Sequence, residues 1–225
     1  MRVYLFSEGG NSFTHLKKKK MKSQTALITL IMVMSLFILL LVSCKKDTEI
    51  APTTTPLADS DKNALLFMLE EEKLARDTYI FLWEKWSITP FTNIKSSEQS
   101  HIDALAQVLT SYGIQYTILP AGQFADSVLL NYYNQFVING SISSANALQI
   151  GATIEDLDIS DLDKYTAQST NATVINVYNS LKCGSRNHLR SFVSAIVSAG
   201  GSYAPQFISQ DYYNEIISSS NEKCN

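Results

Sequence analysis

The chain has 225 residues, 45% of them hydrophobic and 17% charged, with a formal net charge of −3. That composition supports one globular domain with a full core. Residues 1–43 hold six of the 18 basic residues and one of the 21 acidic ones, so the remainder carries a formal net charge of −8, which excludes a nucleic-acid binder with its basic footprint.

Lys17–Lys20 and Lys22 form a basic cluster, and TALITLIMVMSLFILLLV (25–42) is almost wholly apolar. A basic stretch, an apolar run and a small residue in that order describe a secretory signal over 1–43. The run is also close to the shortest membrane span, which is the competing reading. The ending Leu41-Val42-Ser43-Cys44 resembles the bacterial lipobox. That resemblance implies cleavage before Cys44, lipidation of Cys44, and a protein held to a membrane of the bacterial cell envelope. Met21 is a better placed start than Met1. Residues 44–59, including KKDTEIAPTTTP (45–56), read as a tether and residues 60–225 as the folded domain. With Cys44 lipidated, Cys183 and Cys224 remain. An exported compartment permits a disulfide between them, and two free thiols are the alternative.

Helical periodicity dominates the rest, and the expected fold class is all-α. The first helix is predicted over Asp61–Trp86, with Ser60 or Asp61 as N-cap. After the break at Ser87–Pro90, the second covers Phe91–Tyr112, and Gly113 suits its end. A crossing segment follows over Ile114–Gly140, with a turn at Pro120-Ala121-Gly122 and a shorter helix in SVLLNYYNQFVI (127–138). Ser141, Ser143 or Ser144 caps a third long helix to Tyr165. The fourth runs from Asn171 to Ala199, before Gly200-Gly201, and a short helix is expected near Tyr212–Ile217. Four long helices with one long crossover between the second and third form a bundle of ferritin-like connectivity.

Each long helix carries polar residues inside its apolar stripe. On the first, Glu72 is in register with Leu65, Met68, Ala75 and Tyr79. Glu71, in a row with Phe67 and Leu74, is its rival, and Glu70 lines up with Lys73 and Asp77 on what reads as a solvated face. On the second, Glu98 and His101 share the stripe of Ile94, Leu105, Val108 and Tyr112. On the third, Glu155 and Asp158 lie in a row with Ala147, Gly151 and Leu162. On the fourth, His188 falls in the row of Tyr178, Leu181, Ser185 and Phe192. An unpaired buried carboxylate costs several kcal/mol. Divalent cations would offset that, and a carboxylate and imidazole set suits two iron ions, or manganese. The competing reading pairs the acids with Arg76, Arg186 or Arg190. Tyr79 and Tyr178 are core residues or donors near the ligands, and Arg76, Asp77, Arg186 and Asn187 are residues that could orient them.

The segments EEEKLARDTY (70–79), NIKSSEQSHIDAL (93–105), ALQIGATIEDLDISDL (147–162), GSRNHLRSF (184–192) and YAPQFIS (203–209) resemble the DUF2202 family, an uncharacterised branch of the ferritin-like superfamily. The resemblance implies a four-helix bundle with a di-iron centre. It assigns Glu72 to the first helix, Glu98 and His101 to the second, Glu155 to the third and His188 to the fourth. Ser185 stands where the superfamily scheme has a glutamate, and Asp158, one turn from Glu155, is the substitute.

The expected function is that of a lipid-anchored metal-binding redox protein, oxidising Fe(II) or reducing peroxide or O2. A non-catalytic metal-sequestering module and a metal-free, partner-binding bundle are the alternatives. No rubredoxin-like cysteine pairs are present in the sequence, so electrons would come from a donor protein or from Fe(II) itself.

Overall fold

The computed structural model describes residues 56–224, and the expected signal, Cys44 and most of the tether lie outside them. Six helices are present among the described residues: α1 Asp59–Trp86, α2 Thr89–Ser111, α3 Ser127–Gly140, α4 Ser144–Gln168, α5 Ala172–Ser198 and α6 Gln210–Ser218. The all-α expectation holds, and among these residues no helix is long and apolar enough to cross a membrane.

Local chemistry explains most boundaries. Pro90 starts α2, where its missing N–H is no loss. Gly113 follows α2 with φ +68, a left-handed conformation open to glycine. Asp126, Ser143, Asn171 and Ser209 cap α3, α4, α5 and α6 by accepting from backbone N–H groups. The start of α1 differs from expectation. Its N-cap is Ala58, with no side-chain hydrogen bond, and the helix takes in Ser60 and Asp61.

The apolar interior is split into two clusters. One holds Leu74, Tyr79 and Leu82 of α1, Phe91 and Ile94 of α2, Ala147 to Ile154 of α4, and Leu189 to Ile196 of α5. The other holds Ala64 to Leu69 of α1, Ile102 to Leu109 of α2, Leu162 of α4, and Val174 to Leu181 of α5. The order in which each helix visits the clusters fixes its direction. Thus α1 and α5 run one way and α2 and α4 the other. The chain from α2 to α4 must therefore return along the length of the molecule, and residues 112–143 with α3 do so. Helix α1 packs on α2 and α4, and α5 packs on the same two, closing a ring of four.

The returning segment corrects one expectation. Lys73 and Asp77 are not solvated but 2% and 3% exposed. Lys73 Nζ pairs with Asp77 at 2.6 Å and donates to Pro120 O at 3.0 Å and Gln123 O at 2.9 Å. Glu70 accepts from the N–H groups of Ala125 and Asp126. The row is polar because it fastens the crossover.

The end of the chain is fastened likewise. Asp156, fully buried, accepts from Tyr203 OH at 2.9 Å and from the N–H groups of Gln206, Phe207 and Ile208. Asp156→Ala strands these donors and is expected to lower unfolding stability by about 3–5 kcal/mol, read by urea denaturation. Cys183 and Cys224, 41 residues apart, form a disulfide.

Candidate metal centre

Between the two apolar clusters lies a polar layer to which all four long helices contribute. Glu72, Glu98 and Glu155 are 1–2% exposed, and His101 and His188 are 9% and 8% exposed. His101 Nδ1 stands 3.1 Å from Glu72 Oε2 and 2.9 Å from Glu98 Oε2. His188 Nδ1 stands 2.9 Å from Glu98 Oε1 and 3.4 Å from Glu155 Oε2. The imidazoles face each other with ring centroids 5.5 Å apart. The layer thus resolves into two groups able to hold an ion, Glu72–Glu98–His101 and Glu98–Glu155–His188, each with ligand atoms within 4.8 Å of one another. Glu98 belongs to both, one oxygen to each side.

Hydrogen bonding leaves several of these atoms unused. Glu98 Oε1 and His188 Nδ1 are close but misaligned for a hydrogen bond, and neither has another hydrogen-bond partner; Glu72 Oε1 is also without one. Among the described residues no lysine or arginine pairs with Glu72, Glu98 or Glu155. Arg76 bonds Asp77 and Gln99, and Arg186 and Arg190 bond Glu222. The arginine-paired alternative is therefore not what the structure has. Arg76, Asp77, Arg186 and Asn187 do not orient the candidate ligands either.

Other side chains position the group. Tyr79 OH donates to Glu155 Oε1 at 2.5 Å. Ser97 Oγ lies 2.9 Å from His188 Nε2, which leaves Nδ1 to face the acids. Tyr178 stays in the second apolar cluster with its hydroxyl unpaired, away from the ligand groups. Asp158 is buried but belongs to neither group; its Oδ2 meets Ser185 Oγ. That hydroxyl is also 3.0 Å from Leu181 O. A hydroxyl has one proton for these two acceptors. Glu71 is buried with neither oxygen hydrogen-bonded, and it too is in neither group.

Ser97 and Gly184 were not foreseen. Ser97 gives no sequence signal. Gly184 does, because a glycine inside a helix costs about 1 kcal/mol against alanine. A Cβ at Gly184 would lie 2.6 Å from His101 Nε2. The bare backbone there is what admits the imidazole.

The charges are mutually adjusted. Burial pushes the Glu72 and Glu155 carboxyls up to about 7, against the pull of the nearby histidines. Burial would also raise Glu98, but His188 and His101 outweigh it and hold Glu98 well below the carboxylate range. Burial would lower the histidines, yet Glu98 and Glu155 bring His188 up to about 10, and Glu72 and Glu98 raise His101. Burial and then Glu72 and Glu71 push Asp158 up. The surface groove of about 760 Å3 between α1 and the crossover includes none of these residues.

Fold and site together describe a helical protein with a buried histidine–carboxylate layer whose groups could hold a metal ion. The chain belongs to the family described as "Uncharacterized protein domain (DUF2202)", which matches residues 61–220. It is 44% identical over 170 residues to the uncharacterized protein MJ0754 of Methanocaldococcus jannaschii, covering 75% of this chain and 92% of that protein. The crystal structure of that hypothetical protein is similar to this fold, with a TM-score of 0.74 at 43% identity, covering 75% of this chain and 98% of the other.

Proposed function

We propose that the chain is a ferritin-like metalloprotein whose centre holds two iron ions, with manganese as the other suitable metal. Glu72, Glu98 and His101 would hold one ion, and Glu98, Glu155 and His188 the other. The carrying observation is the set of buried, convergent atoms without hydrogen-bond partners, Glu72 Oε1, Glu98 Oε1 and His188 Nδ1. Carboxylate and imidazole donors suit iron and manganese. Bound iron supplies one-electron redox chemistry, serving Fe(II) oxidation or reduction of peroxide or O2. Glu98 would give one oxygen to each ion, Tyr79 fixes the Glu155 carboxylate, and Ser97 holds the His188 ring by its Nε2. Electrons would come from a donor protein or from Fe(II) itself.

Location is part of the proposal: a lipoprotein anchored through Cys44 in the bacterial envelope. The Cys183–Cys224 disulfide agrees with an oxidising compartment.

One observation favours a non-catalytic, metal-sequestering role. Ser185 leaves the layer a carboxylate short, and its hydroxyl occupies Asp158. Metal analysis and turnover decide. The chain, purified without chelators and loaded anaerobically with Fe(II), should bind about two ions and oxidise added Fe(II) catalytically with O2 or peroxide. Tight binding without turnover would establish sequestration. No binding of iron or manganese would refute the metal centre.

The protonation pattern gives a further expected result. Glu72 and Glu155 hold protons in the folded, metal-free protein that an unfolded chain releases near pH 4.5. Their burial therefore becomes increasingly unfavourable as pH rises from about 4.5 through 7. His188, charged in the fold up to about pH 10, contributes stability in full below about pH 6.5 and loses it as pH rises through 10. Both act in one direction, so the Tm of the metal-free protein falls from pH 5 to pH 9. Metal displaces these protons, so affinity rises by about tenfold or more per pH unit between pH 6 and 8. Thermal scans with and without Mn(II) should show the metal-induced increase in Tm growing with pH.

A further inference from the structure

The ring of helices leaves the carboxylates of the polar layer only 1–2% exposed, so cations need a way in to them. Asp161, Asp158 and Glu155 stand three residues apart on α4, in one row leading to the centre. The outer member, Asp161, keeps 17% of its side chain exposed. Facing the row on α1 is Glu71, 2% exposed and adjacent in sequence to Glu72. Neither Glu71 oxygen has a hydrogen-bond partner, nor has Asp158 Oδ1. Glu71 lies in the field of Asp161 and Glu72, and Asp158 in that of Glu72, Glu71 and Glu155. The acids therefore form a continuous series from the partly exposed end inward. Lys164 offsets it mainly at the outer end. Its ammonium pairs with Asp161 at 3.0 Å and is 51% exposed, outside the buried part.

Three buried carboxyl oxygens without partners, both of Glu71 and Oδ1 of Asp158, are unfavourable, and apolar side chains would pack there more cheaply. Yet they are not arranged to retain an ion. Among the described residues only two groups bring three ligand atoms close enough, and neither contains Glu71 or Asp158. Weak sites in series suit passage, because an ion must leave each as readily as it arrives. Negative charge on Asp161 at the partly exposed end of a low-dielectric seam also concentrates cations and raises their on-rate.

We propose that the Asp161–Glu71–Asp158 series, in the seam between α1 and α4, is the route by which divalent cations reach the centre, with Glu71 as a transient ligand. This rests on the metal-binding reading above, and the test separates the two. The metal-free chain is mixed with Co(II) in a stopped-flow instrument, uptake is followed by tryptophan fluorescence, and bound metal is counted at equilibrium. Glu71→Gln should slow uptake about tenfold while leaving the final stoichiometry unchanged. Asp161→Asn, at the partly exposed end where folding is not at risk, should slow it in the same sense. The wild-type rate should fall with ionic strength more steeply than that of either variant. Wild-type rates in both variants would overturn the route alone. Loss of one ion in Glu71→Gln would overturn it too, by making Glu71 a resident ligand. A wild-type chain that binds no Co(II) would overturn the metal-binding reading and the route with it.

Discussion

Glu98→Gln is expected to empty both halves of the centre at once. Its two oxygens serve different groups, Oε2 with His101 and Glu72, and Oε1 with His188 and Glu155. Bound metal should fall from about two ions per chain to nearly none. Glu72→Gln or Glu155→Gln, each in one group only, should remove about one. Elemental analysis of the three variants after identical loading measures the contrast. The amide is the same shape as the carboxylate and each histidine keeps a second acid beside it, so circular dichroism should show an intact helical fold. Equal losses in all three variants would mean that Glu98 is not shared.

Gly184→Ala should disable one half through space alone. The added Cβ would meet His101 Nε2 at 2.6 Å and Cε1 at 2.8 Å. The ring has nowhere to retreat, because Glu72 and Glu98 hold its Nδ1 on the far side. Overpacking of this kind costs about 1–3 kcal/mol. The Glu72–Glu98–His101 group should lose its ion while Glu98–Glu155–His188 keeps one. A double-variant cycle isolates the cause. Adding His101→Ala to Gly184→Ala makes room for the methyl, so stability should return by denaturant titration while the lost ion does not. If Gly184→Ala binds two ions with wild-type stability, the close approach does not constrain the site.

The long helices were legible because each must show an apolar stripe, and a stripe has a period. The same period exposed Glu72, Glu98, His101, Glu155 and His188, since each interrupts a stripe otherwise made of hydrocarbon. What the period cannot show is which loop covers a polar row. Lys73 and Asp77 read as solvated because nothing in α1 itself indicates that residues 120–123 return over them. Asp156 carries no sequence signal for a related reason, as its partners lie about fifty residues further along the chain. In the sequence Ser185 departs from the scheme and Asp158 is its substitute, but only side-chain geometry joins them. Among the positioning residues, Tyr79 shows on the stripe of Glu72, Gly184 shows as a glycine in mid-helix, and Ser97 shows nothing.

The Cys183–Cys224 bond encloses the second half of α5, the loop that Asp156 holds, and α6. Within that ring, Gly200, Gly201 and Ser202 are exposed. A protease that cuts there breaks the backbone but releases nothing, because the two pieces remain one molecule. Separation of the C-terminal helix therefore depends on the reducing power of the surroundings as well as on the intact peptide chain.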